Sequence, residues 1–142
     1  MKAQNPFHHI LLIDDDETTN AVNERLIRTM EFAHNVHSVT GGAQALKYLK
    51  ENAEDSDDPV DLILVDLKME GRDGFWFLEH YHKRDDVQKA RLVVALTSSA
   101  SFYDLQKLKQ FPEVITHVYK PLTAEHLTDL AKRLAIPATK EM

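Results

Sequence analysis

The chain has 142 residues, with 17 basic against 23 acidic side chains, a net charge of −6 and no cysteine. A chain near this length buries about 68–70% of the surface that it exposes when unfolded, so we expect one domain without disulfide bonds. The lack of cysteine excludes thiolate metal sites and cysteine nucleophiles and fits a reducing compartment. No predicted helix carries a basic stripe, which argues against nucleic-acid binding. Because there is neither a secretory leader nor an apolar run of about eighteen residues, we expect a cytoplasmic protein that does not span a membrane.

The first strand and helix are predicted from an apolar run that is followed by helical spacing. We expect residues 1–7 to be a flexible N-terminus and the first strand to begin near His8 or His9 and continue through residues 10–13. A helix should begin around residues 18–20, which offer side chains that cap helix N-termini. Its predicted core face consists of apolar residues at helical spacing, namely Val22, Leu26, Ile27 and Met30.

A second strand and helix follow in the same pattern. The strand is predicted around residues 36–40 and leads through Gly41 and Gly42 into a helix. The apolar residues that this helix should bury are Ala45, Leu46 and Leu49. Residues 51–60 are rich in acidic side chains, and such a charge run predicts a solvated loop.

The most apolar run covers residues 62–65 and leads directly into Asp66. A run of this length between turn residues predicts a strand that is buried on both faces. Residues 68–73 are interrupted by glycine and should not be helical, and a helix begins again near Gly74. Its inward residues are expected to be Phe75, Leu78 and Tyr81, with Trp76 and Phe77 beside them. A charged connection, residues 83–91, should lead into a fourth strand.

The last part of the chain repeats the alternation. The fourth strand, residues 92–96, precedes a short helix that ends before Pro112 and carries Phe102, Leu105 and Leu108. A fifth strand is predicted at residues 114–119, and a last helix between the N-cap Thr123 and Pro137. The residues that this helix should bury are Leu127, Leu130, Ala131 and Leu134.

Five strands therefore alternate with five helices, which predicts an α/β domain with a parallel sheet and helices on both faces. We expect this domain to cover residues 8–135, followed by a short tail at residues 136–142. No linker to a second domain is evident. Any function should therefore reside in this one domain.

The carboxyl ends of the predicted strands carry side chains that suit one kind of chemistry. Asp14 and Asp15 follow the first strand, and Asp66 ends the third. Thr97 follows the fourth strand and Lys120 the fifth. In an open parallel sheet these ends share one rim, and carboxylates this close favour a bound cation such as Mg²⁺. With a hydroxyl and an ammonium nearby, the set is suited to phosphoryl transfer in which one carboxylate is the nucleophile.

At this point the chain resembles the receiver domain of two-component response regulators, over about residues 8–135. The resemblance implies a flavodoxin-like (βα)5 fold with a five-stranded parallel sheet of order 2-1-3-4-5. The motifs that carry the resemblance are residues 12–15 (Leu-Ile-Asp-Asp), residues 64–66 (Leu-Val-Asp) with Met69 and Asp73-Gly74, residues 95–98 (Ala-Leu-Thr-Ser) and residues 119–121 (Tyr-Lys-Pro).

The resemblance implies a role for each site residue. Asp66 would accept a phosphoryl group from a sensor histidine kinase or a phosphotransfer protein. Asp14, Asp15 and Asp66 would hold Mg²⁺, together with the backbone carbonyl of Lys68.

Two further groups would act on the phosphoryl oxygens, namely Thr97 and Lys120. The bond between Lys120 and Pro121 is often cis in such domains. The protein would not be a classical enzyme but a phosphoacceptor with self-catalysed phosphorylation and dephosphorylation. We expect it to signal to a downstream protein target through the face of the fourth helix, fifth strand and fifth helix.

Three positions depart from the family pattern. Glu70 stands where the family usually has proline, and His117 stands where it usually has phenylalanine or tyrosine as a switch residue. A histidine there could make the switch sensitive to pH. The variable positions two residues after Asp66 and Thr97 are Lys68 and Ser99, which in such domains tune the rate of dephosphorylation.

Two alternatives stay open on the sequence alone. Residues 14–18 fit the D-x-D-x-T opening of haloacid-dehalogenase-type phosphatases, with Asp14 as nucleophile and Asp16 as general acid. That assignment leaves Asp66 unused, and no acidic pair follows Lys120 to complete a magnesium site. The second alternative is a degenerate receiver that accepts no phosphate and acts only as a docking module.

Overall fold

The computed structural model describes residues 6–54, 57–69, 74–98 and 101–135, with backbone alone for residues 54, 134 and 135. Several sequence-based expectations lie outside the described residues: Glu70 and Asp73, Ser99, the side chain of Leu134 and the tail at 136–142. No helix in the described ranges has both the length and the apolar character needed to cross a bilayer.

Five parallel strands form one sheet in the order β2-β1-β3-β4-β5. The strands are β1 (Phe7–Ile13), β2 (Ala33–Val39), β3 (Leu62–Asp66), β4 (Leu92–Thr97) and β5 (Val114–Tyr119). The helices are α1 (Glu17–Thr29), α2 (Gly42–Glu54), α3 (Gly74–Lys83), α4 (Phe102–Leu108) and α5 (Ala124–Ala135). The predicted alternation, strand direction and strand order are confirmed.

The core has two layers, one on each face of the sheet. Successive strand residues point to opposite faces, so Ile63 packs into one layer and its neighbour Leu64 into the other. Leu46 and Phe77, on α2 and α3, belong to the first layer, and helix residues of α1 and α5 belong to the second. All five residues of β3 are buried. Its first four residues are apolar because both faces of the central strand are covered, as predicted, and Asp66 ends it at the rim.

The start of α1 differs from its prediction. The N-cap is Asp16, whose carboxylate accepts hydrogen bonds from Thr18 N at 2.9 Å and from Thr19 Oγ1 at 3.0 Å. The helix therefore begins at Glu17, before the predicted caps at residues 18–20. The carboxylate of Asp16 accepts hydrogen bonds from two donors at once, which makes Asp16 a stronger N-cap than the threonines at positions 18 and 19.

The buried face of α1 was predicted correctly at Leu26 and Ile27 but wrongly at two other residues. Val22 and Met30 are 61% and 42% exposed, whereas Asn20 is buried together with Asn23 and Ile27. Asn20 Nδ2 donates hydrogen bonds to the main-chain carbonyls of Asp14 at 2.9 Å and Val39 at 3.2 Å. The helix thus turns an amide toward the carboxyl end of the sheet, because two strand-end carbonyls there need donors.

Other boundaries differ by a few residues. The first strand starts at Phe7, which is completely buried, and the second at Ala33, three residues before the predicted start. Helix α2 continues to Glu54, inside the predicted acidic loop. Within that loop Asp58 is not simply solvated, because its carboxylate lies 2.7 Å from His8 Nε2.

Glycine determines where α3 begins. A Cβ atom at Gly74 would lie 2.4 Å from the carbonyl oxygen of Asp66 and 2.8 Å from Leu67 Cα, so no other residue fits without moving the backbone. Gly74 N also donates to Leu67 O at 3.2 Å. The predicted helix start is confirmed, and it brings α3 directly against the carboxyl end of β3.

The last two helices follow the prediction in most positions. Helix α4 buries Leu108 and leaves Phe102 76% exposed. Thr123 Oγ1 accepts from His126 N at 3.1 Å and so caps α5, as predicted. Leu127 and Leu130 are buried in the core, and Ala131 packs against it while partly exposed.

Candidate functional site

The carboxyl ends of four strands bring the predicted site residues to one rim. Asp14 directly follows β1, Asp66 ends β3, Thr97 ends β4 and Lys120 directly follows β5. Because these strands are parallel neighbours, their carboxyl ends lie at the same edge of the sheet. Lys120 N donates to Thr97 O at 2.9 Å, which ties the last two of these ends together.

Three carboxylates form a cluster at this rim. Oxygens of Asp14, Asp15 and Asp66 all lie within 4.8 Å of one another. Asp14 and Asp66 are 2% and 3% exposed, whereas Asp15 is exposed. Two buried carboxylates and one exposed carboxylate therefore form an acidic site with a single open side.

Lys120 supplies positive charge to the two buried carboxylates. Its Nζ lies 3.1 Å from Asp14 Oδ2 and 3.3 Å from Asp66 Oδ2. Burial by itself would lower the pKa of Lys120, but the interactions with both aspartates outweigh it and raise that pKa. The ammonium is therefore firmly charged.

Ionisation of the Asp14 carboxyl group is less favourable than ionisation of an ordinary aspartate. Burial raises the pKa of Asp14, and the neighbouring charge of Asp66 raises it further. A main-chain hydrogen bond from Asp16 N, at 2.9 Å, and the ammonium of Lys120 lower that pKa but do not compensate. One ammonium thus does not balance the buried acidic charge of this site.

The cluster fits a hard divalent cation. Asp14 Oδ2 is buried and accepts no aligned hydrogen bond, even though Lys120 Nζ lies 3.1 Å away. Such an oxygen, within a donor set that consists only of carboxylates, suits Mg²⁺. Across the described ranges no other group of three His, Asp or Glu side chains converges in this way.

The loop after β3 is attached to the same site. Lys68 N donates to Asp66 Oδ1 at 3.2 Å, and Leu67 N donates to Leu96 O at 3.0 Å. The side chain of Lys68 points elsewhere, with its Nζ 3.3 Å from Asp104 Oδ2 on α4. The sequence interpretation missed Asp104, although Ser101 followed three residues later by an acid is a recognisable capping box.

The position of Thr97 and the bond before Pro121 are as expected. Thr97 is completely buried at the end of β4. The peptide bond between Lys120 and Pro121 is cis. His117, at the expected switch position, lies half-buried on β5 with its ring edge-on to Tyr119 at a centroid distance of 5.3 Å.

Comparison with known proteins agrees with this geometry. The model of the response regulator receiver domain matches residues 10–132. The chain belongs to the response regulator receiver domain family. The resemblance and the flavodoxin-like fold are therefore confirmed. As a receiver domain of a two-component response regulator, it is a member of a family of signalling phosphoacceptors rather than a classical enzyme.

Individual relatives are distant in sequence. The chain is 27% identical over 95 residues to the response regulator Rcp1 of Synechocystis and covers 65% of that protein. It is 28% identical over 125 residues to the sensor histidine kinase CheAY of Helicobacter pylori, of which it spans only 14%. These alignments include 66% and 87% of the present chain, respectively. The chain thus spans less than two thirds of either relative.

A solved structure shows the same architecture. A two component response regulator from Cytophaga hutchinsonii superposes with a TM-score of 0.80 at 29% identity. The superposition covers 90% of this chain and 96% of that chain. Receiver domains bind Mg²⁺ in an acidic pocket and work with histidine kinases or phosphotransfer proteins, and this chain has a cluster of three aspartates at the rim of its sheet.

The phosphatase alternative is not supported. Its general acid would be Asp16, but both carboxylate oxygens of Asp16 are used to cap α1. Family membership also accounts for Asp66, which that alternative leaves without a role.

Proposed function

We propose that this receiver domain accepts a phosphoryl group on Asp66 in a Mg²⁺-dependent reaction and signals by changing the surface that it presents to a protein partner. The observation that carries the proposal is the position of Lys120 Nζ, 3.3 Å from Asp66 Oδ2 and 3.1 Å from Asp14 Oδ2, beside an acidic cluster. This arrangement combines a carboxylate nucleophile with a fixed positive charge at the point where phosphoryl charge would develop.

The reaction would be a direct transfer between a donor and Asp66. A carboxylate oxygen of Asp66 attacks the phosphorus of a phosphohistidine, and a new oxygen–phosphorus bond forms as the phosphorus–nitrogen bond breaks. The electron pair of that bond leaves with the donor imidazole, which takes up a proton. Hydrolysis of the resulting acyl phosphate by water regenerates Asp66 and releases inorganic phosphate.

The other site residues would position and neutralise the group in transfer. Lys120 stabilises the charge on the phosphoryl oxygens, and the hydroxyl of Thr97 donates to one of them. Asp14, Asp15, Asp66 and the backbone carbonyl of Lys68 would hold Mg²⁺. When bound, this ion neutralises charge shared by the carboxylates and the phosphoryl oxygens.

The signal would pass to the face formed by α4, β5 and α5. This face exposes apolar side chains, which suits protein docking: Phe102, Tyr103, Ile115 and Tyr119. To change this face from mostly inactive to mostly active, phosphorylation must favour the active form by about 3–5 kcal/mol. The phosphoryl donor would be a sensor histidine kinase or a phosphotransfer protein. The phosphorylated domain would bind a downstream protein target, and both steps would take place in the cytoplasm.

The proposal is tested by intact mass after incubation with Mg²⁺ and acetyl phosphate, with wild type beside Asp66→Asn. Wild type should gain the mass of one PO₃ unit, and Asp66→Asn should gain none while its circular dichroism spectrum stays unchanged. Omission of Mg²⁺ should abolish the gain in wild type. An equal gain in Asp66→Asn would overturn the assignment of Asp66. No gain from acetyl phosphate or from a phosphorylated histidine phosphotransfer protein would favour the docking module.

A further inference from the structure

An ion pair joins the candidate phosphoacceptor loop to helix α4. Lys68 Nζ lies 3.3 Å from Asp104 Oδ2, where the lysine side chain is 61% exposed and the aspartate side chain 7%. A carboxylate that is almost completely buried depends strongly on its few partners, since water cannot replace them. Loss of the pair would therefore leave the Asp104 carboxylate without a charged partner in the described part of the chain, whereas water would solvate the Lys68 ammonium.

Asp104 closes the N-terminal turn of α4. Its backbone N donates to Ser101 Oγ at 3.0 Å, and Ser101 N donates to Asp104 Oδ2 at 3.4 Å, which together form a capping box. The same oxygen, Asp104 Oδ2, faces Lys68 Nζ. The ammonium of Lys68 thus neutralises the carboxylate that holds this turn together.

Lys68 is also bound to the phosphoacceptor itself. Its backbone N donates to Asp66 Oδ1 at 3.2 Å. One residue therefore contacts Asp66 through its main chain and Asp104 through its side chain. An event at Asp66 can reach α4 through Lys68 alone, without any movement of the sheet.

Phosphorylation would alter the competition for the Lys68 ammonium. A phosphoryl group carries about −1.5 to −2 charge at neutral pH. It would arrive at a site where Asp14 and Asp66 already share the ammonium of Lys120. Lys68 is two residues from Asp66 on a flexible and largely exposed side chain, so the new oxygens compete with Asp104 for it.

We infer that Lys68 is a switch residue whose ammonium pairs with Asp104 before phosphorylation and with the phosphoryl group on Asp66 afterwards, which loosens the first turn of α4. The inference rests on the proposed function. That turn carries Phe102 and Tyr103, which are 76% and 69% exposed. Loss of the cap would change how these two aromatic side chains are presented to a protein partner.

Amide hydrogen exchange at the first turn of α4 tests the inference. The reporters are the amides of Asp104 and Leu105, which donate to Ser101 Oγ at 3.0 Å and to Ser101 O at 3.0 Å. Exchange is measured with and without Mg²⁺ and the phosphoryl analogue beryllium trifluoride. The variants are Lys68→Met, Lys68→Arg and, as matched control, Lys83→Met, which breaks the exposed pair of Lys83 with Glu79 at 3.8 Å.

The effects of the Lys68→Met substitution and of the analogue on amide exchange should not add. Without the analogue, Lys68→Met should exchange about two- to tenfold faster than wild type at both amides, since the pair is only partly screened by solvent. The analogue should accelerate exchange in wild type by a similar factor and add little in Lys68→Met. Lys68→Arg should behave as wild type, and Lys83→Met should change nothing at these amides. A merely structural role for Lys68 would leave the effect of the analogue intact in Lys68→Met.

Three further results would overturn the inference, and they differ in what they mean for the proposed function. Unchanged exchange in wild type, while the fluorine NMR signal of the analogue shows that it is bound, would exclude the switch and leave phosphorylation of Asp66 standing. Failure of the analogue to bind, together with no mass gain from acetyl phosphate or from a phosphorylated histidine phosphotransfer protein, would exclude the proposed function and, with it, the switch. Equal exchange in apo wild type and apo Lys68→Met would also exclude the switch.

Discussion

At the carboxyl end of the sheet, two buried aspartates, Asp14 and Asp66, share the single ammonium of Lys120 at 3.1 and 3.3 Å. At the amino end, the carboxylate of Asp61 accepts hydrogen bonds from two main-chain amides, His8 N at 2.8 Å and His9 N at 3.0 Å. Burial raises the pKa of Asp14, so its charge costs free energy of folding. The same residue type therefore holds the fold together at one end and prepares it to receive a cation at the other.

Other polar groups near the amino end also have partners within the protein. Gln88 Oε1 accepts from Val60 N at 2.7 Å, and Gln88 Nε2 donates to Val60 O at 2.6 Å. The buried imidazole of His9 has Tyr48 Oη 2.8 Å from Nε2 and Asp58 O 2.8 Å from Nδ1. These main-chain, amide and imidazole groups are therefore paired within the protein, whereas Asp14 Oδ2 at the other end accepts no aligned hydrogen bond and suits a cation.

The largest effect is expected from Asp61→Ala. This change leaves the amides of His8 and His9 without their carboxylate partner. Hydrogen bonds to a charged acceptor contribute about 1.5–3 kcal/mol each when they are protected from solvent, and the partial exposure here reduces the expected loss to about 2–3 kcal/mol. The free energy of unfolding in urea measures it. Asp61→Asn, which keeps one acceptor oxygen, should lose about half, and a loss below about 0.5 kcal/mol would contradict the comparison.

A pH effect of similar size is expected at Tyr81, near the amino end. Burial raises the pKa of Tyr81 to about 12, and Ala90 N donates to its hydroxyl oxygen at 2.8 Å. Because the unfolded value is about 10, the folded state holds the phenol proton more tightly, and this contribution is complete below about pH 10 and is lost as the pH rises toward 12. Over that range the stability should fall by about 2–3 kcal/mol.

Unfolding in urea at a series of alkaline pH values measures this loss. Tyr81→Phe should remove the steep decline because no phenol remains to titrate at that position. Tyr103→Phe, at a tyrosine that is 69% exposed, should keep it and serves as control. The same decline in Tyr81→Phe as in wild type would assign the effect to other groups.

A smaller effect, of opposite sign, is expected at the carboxyl end. Without Mg²⁺, Asp14→Asn should raise the free energy of unfolding by about 0.5–1 kcal/mol, because burial and the charge of Asp66 oppose its ionisation. With Mg²⁺ at tenfold its dissociation constant, wild type should gain about 1.4 kcal/mol, and Asp14→Asn clearly less. Urea unfolding with and without Mg²⁺ measures both, and Asp61→Asn, at the other end, should keep the full Mg²⁺ gain. If Asp14→Asn lowers the free energy of unfolding in the absence of Mg²⁺, the negative charge of Asp14 does not destabilise the folded state.

Much of the fold followed from local pattern. Residues 62–65 predicted a strand because a strand that is covered on both faces is an uninterrupted apolar run. A helix start near Gly74 was predicted because glycine interrupts the segment before it, and the structure adds that a Cβ atom at Gly74 would lie 2.4 Å from the carbonyl oxygen of Asp66. The convergence of Asp14 and Lys120 followed from topology, since parallel strand ends share one rim.

What the sequence could not provide were contacts that exist only in the folded chain. Lys68 and Asp104 are far apart in sequence, and nothing local pairs them. Asn20 is polar and was predicted only as a possible N-cap of α1, yet its amide is buried because it donates to the main-chain carbonyls of Asp14 and Val39. The buried polar contacts nearest the site were thus the ones that pattern alone missed.

The smallest effect is therefore expected at Val22, which the sequence predicted to belong to the core face of α1. Val22→Ser should change the free energy of unfolding by less than about 0.5 kcal/mol, because the side chain is 61% exposed. Asn20→Ala, two residues earlier, should cost about 1–2 kcal/mol, because the carbonyls of Asp14 and Val39 lose their common amide donor. The two variants measured in parallel by urea unfolding decide which face of α1 packs against the sheet. If Val22→Ser is the more damaging variant, α1 is rotated about its axis, and the amide of Asn20 no longer orders the strand end that carries Asp14.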